Sequence, residues 1–219
     1  MQKMPWLLKA EPHPRVVNGI DVSFSVDQFE RVVESQWEGV RNFQARNLLR
    51  DQLKLGDNVL FYHSSTKIPG VVALATVTRE GYPDATAWTR GHPYFDAKSD
   101  PEQPRWFMVD VRFDKRLKHY VALPLLQHIA GGLSESERAD VAYLTDAHIA
   151  AIAEMPLLRR SRLSVQPVSP EAYDAVCLLG TKGGFDRWPG KWNDREPPQP
   201  ESAPTPHMQG VQRKRTRRN

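Results

Sequence analysis

Only one of the 219 residues is a cysteine, Cys177, which excludes an internal disulfide framework and any zinc site built on cysteines. Its apolar setting beside Tyr173 and Val176 predicts a core position. No apolar run reaches eighteen residues, so no membrane-spanning helix is encoded. The start, with Pro5, Glu11 and Pro12 around a short apolar run, shows no cleavable-signal pattern. Catalytic signatures are missing as well. His13, His63, His92, His119, His128, His148 and His207 show neither HExxH spacing nor a Cys–His arrangement. Ser64-Ser65 lacks the GxSxG context of a nucleophile turn. The run Gly180-Thr181-Lys182-Gly183-Gly184 lacks the P-loop spacing and the strand that should precede it. Carboxylates such as Asp110 and Asp114 sit in ordinary solvated patterns. These absences leave no expectation of an enzyme, a metal or a cofactor.

The charge is uneven. Residues 181–219 hold nine Lys/Arg against four Asp/Glu, while 1–180 hold 21 against 22. The chain's net charge of +4 therefore belongs to its end, and the body must bind any polyanion through local patches.

Strands are expected over 4–10, 58–63, 70–78, 105–113 and 163–168, the last placed at an edge or an end by Pro167. Ser25 and Gln28 form a capping box before a short helix with Val26, Phe29, Val32 and Val33 on its apolar side. Asn42 caps the next helix, with Phe43, Leu48 and Leu49 on its apolar side and a stop near Gly56-Asp57. A short helix over 123–129, helical pieces over 134–154, and a last helix opened by Ser169-Pro170 and closed by Gly180 follow. The proline-marked loop 81–104 is long enough to suggest a functional role. Strands after two helices indicate an α+β fold with a curled sheet. We divide the chain into a domain over 1–180 and a Pro-rich, basic, disordered tail over 181–219, with Phe185, Trp188 and Trp192 able to dock back.

Three segments carry candidate chemistry. In Trp37–Arg50 an aromatic, a glycine, two asparagines and three arginines stand where a loop becomes a helix. Helix N-termini attract phosphate, and Arg41 and Arg46 would add charge. The alternative is a buried Trp37, a helix capped by Asn42 and a solvated arginine face. Phe61-Tyr62-His63-Ser64, at a strand end, reads either as a pocket rim or as core followed by surface. Tyr82-Pro83-Asp84 opens the long loop as a stacking wall or as a plain turn.

These segments, together with Trp6–Pro12, Pro104–Val111 and Arg162–Pro167, resemble the EVE domain family of the PUA-like superfamily, in the family's order over residues 4–179. The resemblance implies a PUA-like curled β-barrel flanked by short helices and related to readers of methylated adenine. It also implies a nucleic-acid partner and a pocket for one flipped, modified base, with methylated or hydroxymethylated cytosine in DNA favoured over RNA. On that basis the base pocket takes Lys9, Glu11, Trp37, Arg41, Asn42, Tyr62, His63, Ser64, Tyr82 and Trp106, and Arg46 and Arg162 contact the backbone. Flipping costs a few kcal/mol; stacking on aromatics returns roughly 1–3 kcal/mol, and a buried methyl about 0.8 kcal/mol. Phosphate contacts must then supply much of the affinity. Ala10 stands where the family carries Ser or Thr. A reader of modified RNA and a sensor of free modified nucleosides are the rival readings, and a monomer is the expected state. The terminal run Arg213, Lys214, Arg215, Arg217 and Arg218 reads as a nuclear-import signal, if the source is eukaryotic, or as a nonspecific nucleic-acid arm; in a bacterial source the protein is expected in the cytoplasm.

Overall fold

The computed structural model describes residues 3–160 and 162–193. The basic run from Arg213 to Arg218 lies outside them. In chain order the elements are β1 (Pro5–Ala10), β2 (Val16–Val17), β3 (Ile20–Asp21), α1 (Val26–Val32), β4 (Glu34–Gln36), α2 (Phe43–Asp51), β5 (Asn58–His63) and β6 (Gly70–Pro83). There follow β7 (Phe107–Ala122), α3 (Leu123–Gly131), α4 (Glu135–Asp140), α5 (Asp146–Ala153), α6 (Pro156–Arg159), β8 (Val165–Pro167) and α7 (Pro170–Lys182). No helix among the described residues is long and apolar enough to cross a membrane.

Six strands form one mixed sheet in the order β4-β7-β6-β5-β1-β8. Only β1 and β5 run parallel. A parallel pair needs a crossover, and the chain from Glu11 to Asp57 supplies it with α1, β4 and α2. The buried Asp57 closes that excursion: its carboxylate accepts from the Trp6 indole N–H (2.9 Å) and the Met4 backbone N–H (3.0 Å).

Strand alternation divides the core. Trp6, Leu8, Ala10, Val59, Phe61, Ala73, Val109, Val111 and Val165 point to an inner cluster, joined by Phe29 of α1 and by Ala45 and Leu49 of α2. Leu7, Leu60, Tyr62, Val71 and Val121 point the other way, to an outer cluster covered by α3, α5 and α7. The sheet bends through register breaks along β6 and β7, each of which strengthens local twist. The barrel expected from the sequence does not close, however. Among the described residues β4 and β8 share no ladder; α2, packed on β6, β7 and β8, fills the space between the edges.

Two further differences from the sequence reading arise from contacts distant in the chain. The strand predicted to end at 113 continues to Ala122 through a charged stretch, because β6 pairs along it and Arg116 binds Asp27 and Glu30 of α1. Gly180 does not close α7. It lies inside the helix, where the Leu117 side chain occupies the space a Cβ would take, and Gly183, at φ +66°, ends the helix. Phe185, Trp188 and Trp192 are buried in the outer cluster, the docking that the sequence reading allowed. The glycine run at 180–184 thus sits at a helix C-terminus, where the dipole disfavours phosphate. Cys177 is half-buried against the outer cluster, and burial pushes its thiol pKa up.

Candidate nucleic-acid interface

The WEGVRN segment, Trp37 to Asn42, ties the far loop to the sheet. Gly39 adopts φ +78°, and the Tyr94 ring occupies the place of a Cβ there, so glycine is required on both counts. Its N–H donates to Asp84 (3.0 Å). Asp84, fully buried, also accepts from Arg41 Nη1 (2.7 Å), Thr86 N (3.0 Å) and the Thr86 hydroxyl (2.5 Å). Burial raises its pKa, but the hydrogen bonds from Thr86 and Arg41 and the Arg41 charge outweigh that and hold it below the ordinary value. Arg41 spends its remaining donors on the Tyr94 carbonyl (2.9 and 2.5 Å) and the Thr86 hydroxyl (3.1 Å). Its plane lies 5.6 Å from the Tyr94 ring and 5.4 Å from the Trp106 ring. This guanidinium thus bonds loop 84–106 at three residues, Asp84, Thr86 and Tyr94.

The other sequence-predicted residues divide by face. Trp37 is 7% exposed and meets Phe24 and Phe61 edge-on in the inner cluster. Asn42 caps α2, accepting from Ala45 N (3.0 Å). His63, on the inner side beside Phe61, accepts the Val26 N–H (3.1 Å) at the start of α1. Burial lowers its pKa to about 4, so the ring is neutral and already engaged. Lys9 and Tyr62 lie on the opposite face of the sheet, with the ammonium 5.5 Å from the ring centroid. Burial lowers the Lys9 pKa to about 8. Ser64 donates to the Ala10 carbonyl (3.1 Å), and Ala10 turns its methyl into the inner cluster. Glu11 accepts from Arg15 (3.0 Å) and Ser65 (3.2 Å). Tyr82 donates to Asp110 under the Arg79 guanidinium; burial and that carboxylate push its phenol far up. Trp106 is buried, donates to Asp96 (2.7 Å) and stacks on Phe43. The structure therefore gathers Trp37, Arg41, Asn42 and Trp106 around the start of α2, and sets Lys9, Tyr62 and Tyr82 apart.

Tertiary contact brings in groups with no local signal. Beside Gly39, the half-buried Glu38 carboxyl faces His92 (3.7 Å) and Tyr94. Among the described residues nothing donates a hydrogen bond to it. Burial, then the Asp84 charge, push its pKa up to about 7 against the opposing pull of Arg41. Burial also raises the Tyr94 phenol, which feels the charges of Arg15, Glu38, Glu11 and Arg41.

Around α2 the cations converge. Burial and the neighbouring charges of Arg50 and Arg105 lower the Arg46 pKa, as expected for crowded guanidinium groups. On the other flank of the helix, Arg159, Arg160 and Arg162 border a shallow groove of about 370 Å³ with Asn42 and Gln44. Arg159 pairs with Glu154 (3.2 Å), whereas neither Arg160 nor Arg162 has a carboxylate partner among the described residues. Free arginines in a concave setting suit phosphate oxygens. Among the described residues no group of His, Cys, Asp or Glu is placed to hold a metal ion.

Residues 5–179 match the EVE domain. The chain belongs to the EVE domain family. It is 39% identical to thymocyte nuclear protein 1 of Gallus gallus over 176 residues, which span 80% of this chain and 67% of that protein. The human THYN1 protein in complex with 5-methylcytosine-containing DNA is 36% identical, with a TM-score of 0.69 covering 81% of this chain and 98% of that one. A Pseudomonas putida protein of known structure is 33% identical, with a TM-score of 0.62 over 80% of this chain and 99% of that one. The EVE domain match ends at 179, before the three buried aromatics Phe185, Trp188 and Trp192.

Proposed function

We propose that the chain is a DNA-binding reader that holds one modified cytosine, turned out of the duplex, in a recess that this reading places between Glu38, His92 and Tyr94. The observation that carries this reading is the likeness to the human THYN1 protein, whose structure contains 5-methylcytosine DNA. The arginines around α2 agree with it, because they give a nearly neutral body a local cationic face. Arg41, Trp37 and Asn42 build the recess and hold it in place, and Arg46, Arg160 and Arg162 take the phosphates.

Glu38 gives the recess its chemistry. A protonated carboxyl presents an O–H donor beside a C=O acceptor. That pair matches the N3 acceptor and N4 amino donor of cytosine. With a pKa near 7, Glu38 keeps its proton below neutrality and loses it above. Affinity for modified-cytosine DNA should therefore fall by about two- to tenfold from pH 6 to pH 8, the worth of one hydrogen bond. Asp84, Arg41, His92 and Tyr94 are the other charged or titratable groups near it. Glu38→Gln keeps a donor and an acceptor and should flatten the profile; an equally steep profile in that variant would remove Glu38 from this role.

The phosphate contacts make a separate prediction. Arg160→Ala and Arg162→Ala should each weaken binding uniformly across sequences. Each should also reduce the slope of log K against log salt by about 1, as for one lost phosphate contact. Unchanged slopes would take the groove out of the interface.

The whole reading is tested by titrating unmodified, methylated and hydroxymethylated DNA and RNA oligonucleotides against the full chain. Preference for methylated RNA would favour an RNA reader, and tight binding of a free modified nucleoside a small-molecule sensor. If no modified ligand surpasses its plain counterpart, the reading is wrong.

A further inference from the structure

Phe43 breaks the pattern of its own helix. The sequence places it on the apolar side of α2, yet it is 51% exposed. Its ring is stacked on Trp106, with centroids 4.9 Å apart and planes at 23°. Trp106 is itself buried and held by its indole bond to Asp96. The Arg46 and Arg105 guanidinium groups stand 5.2 and 5.7 Å from the Phe43 centroid. The Arg41 guanidinium carbon lies 5.4 Å from the Trp106 ring centroid and 5.6 Å from that of Tyr94. A ring held by Trp106 thus projects into solvent beside two cations. Phe95, the other exposed phenylalanine, has neither a ring partner nor a cation over it among the described residues.

We propose that Phe43 lays its outward face on a base flanking the everted one and so covers the gap in the stack. The inference rests on the base-holding reading above. Eversion removes a planar group from between two neighbours, and the gap costs the stacking on both of its faces. Apolar side chains inserted between base steps recover part of that loss. Phe43 suits the task because Trp106 has already fixed its orientation, so little side-chain entropy remains to be lost on binding. Trp106 covers one face of the ring, and the other can stack on a flanking base whatever the sequence. Arg46 and Arg105 then stand where the phosphates on either side of the gap would approach.

The test uses the full chain with a duplex carrying one 5-methylcytosine, the same modified strand alone, and an unmodified duplex. Phe43→Ala should lose about ten- to a hundredfold in affinity for the modified duplex, as expected for one aromatic–base stack. It should bind the single strand nearly as the parent does, since a single strand has no paired stack to cover. Phe43→Trp should restore duplex binding. With 2-aminopurine next to the modified base, Phe43→Ala should give brighter complexes than the parent, because the neighbour loses its stacking partner. Equal losses on duplex and single strand would show a general surface contact and overturn the proposal, as would an unchanged duplex affinity. If the unaltered chain does not distinguish modified from plain duplex, the base-holding reading fails first, before any variant is made, and the Phe43 role fails with it. Matching melting temperatures of parent and Phe43→Ala exclude a folding defect.

Discussion

Arg41→Ala is expected to cost the free protein about 3–5 kcal/mol of stability, the range for breaking a buried ion pair by removing one partner. Arg41 is the cation that neutralises Asp84, and Asp84 has no exposed atom through which water could take over. Three further donors of the same guanidinium hold the Tyr94 carbonyl and the Thr86 hydroxyl, so loop 84–106 loses its anchor at the same time. Urea denaturation measures the loss, and limited proteolysis should show new cleavage within that loop. Arg41→Lys should recover only part of the stability, because an ammonium cannot satisfy this planar set of acceptors. The double variant Arg41→Ala/Asp84→Ala should be less damaged than the two single losses added together, since it leaves no orphaned charge. A cost below about 1 kcal/mol for Arg41→Ala would mean that solvent reaches Asp84, and the anchoring role would be lost.

Trp37→Ala should cost about as much, roughly 3–5 kcal/mol, for a different reason. The indole packs edge-on against Phe24 and Phe61, and its backbone N–H extends the β4–β7 ladder by donating to Val109 O (2.7 Å). Truncation leaves a cavity in the inner cluster just where β4 ends. DNA binding by this variant would then fall through loss of the fold and would not report on the recess. Trp37→Phe, which fills more of the volume, is expected to recover much of the stability. If Trp37→Ala unfolds at the same urea concentration as the parent, the indole is not a core group, and a direct contact with ligand becomes the better account of its place in the segment.

The WEGVRN segment shows how far local reading goes. Its residue types marked a helix start with unusual neighbours, and the Asn42 cap, the α1 capping box and the Ser169-Pro170 start of α7 follow from chemistry within four residues. The resemblance implied ligand contacts for Arg41, His63 and Tyr82; in the structure their polar atoms are engaged by Asp84, the Val26 N–H and Asp110. A sequence shows that a side chain can bond but not whether a distant part of the chain has already bonded it. Glu38, Tyr94 and His92 went unnoticed for the same reason. The loop that delivers the last two lies about fifty residues along the chain, and nothing in its composition says that it folds back over Gly39.

The sequence by itself determined most of the longer elements, the N-terminal caps of α1, α2 and α7, and the placement of excess charge at the C-terminal end, because these depend on periodicity and near neighbours. Only the tertiary structure decided that the sheet stays open, that Lys9 and Tyr62 face away from Trp37, that arginines from three separate segments meet at α2, and that Phe43 stands outside the core. Each of those outcomes is set by the packing of residues far apart in the chain, and burial, the like charge of neighbours and the occupation of donors exist only once that packing is made.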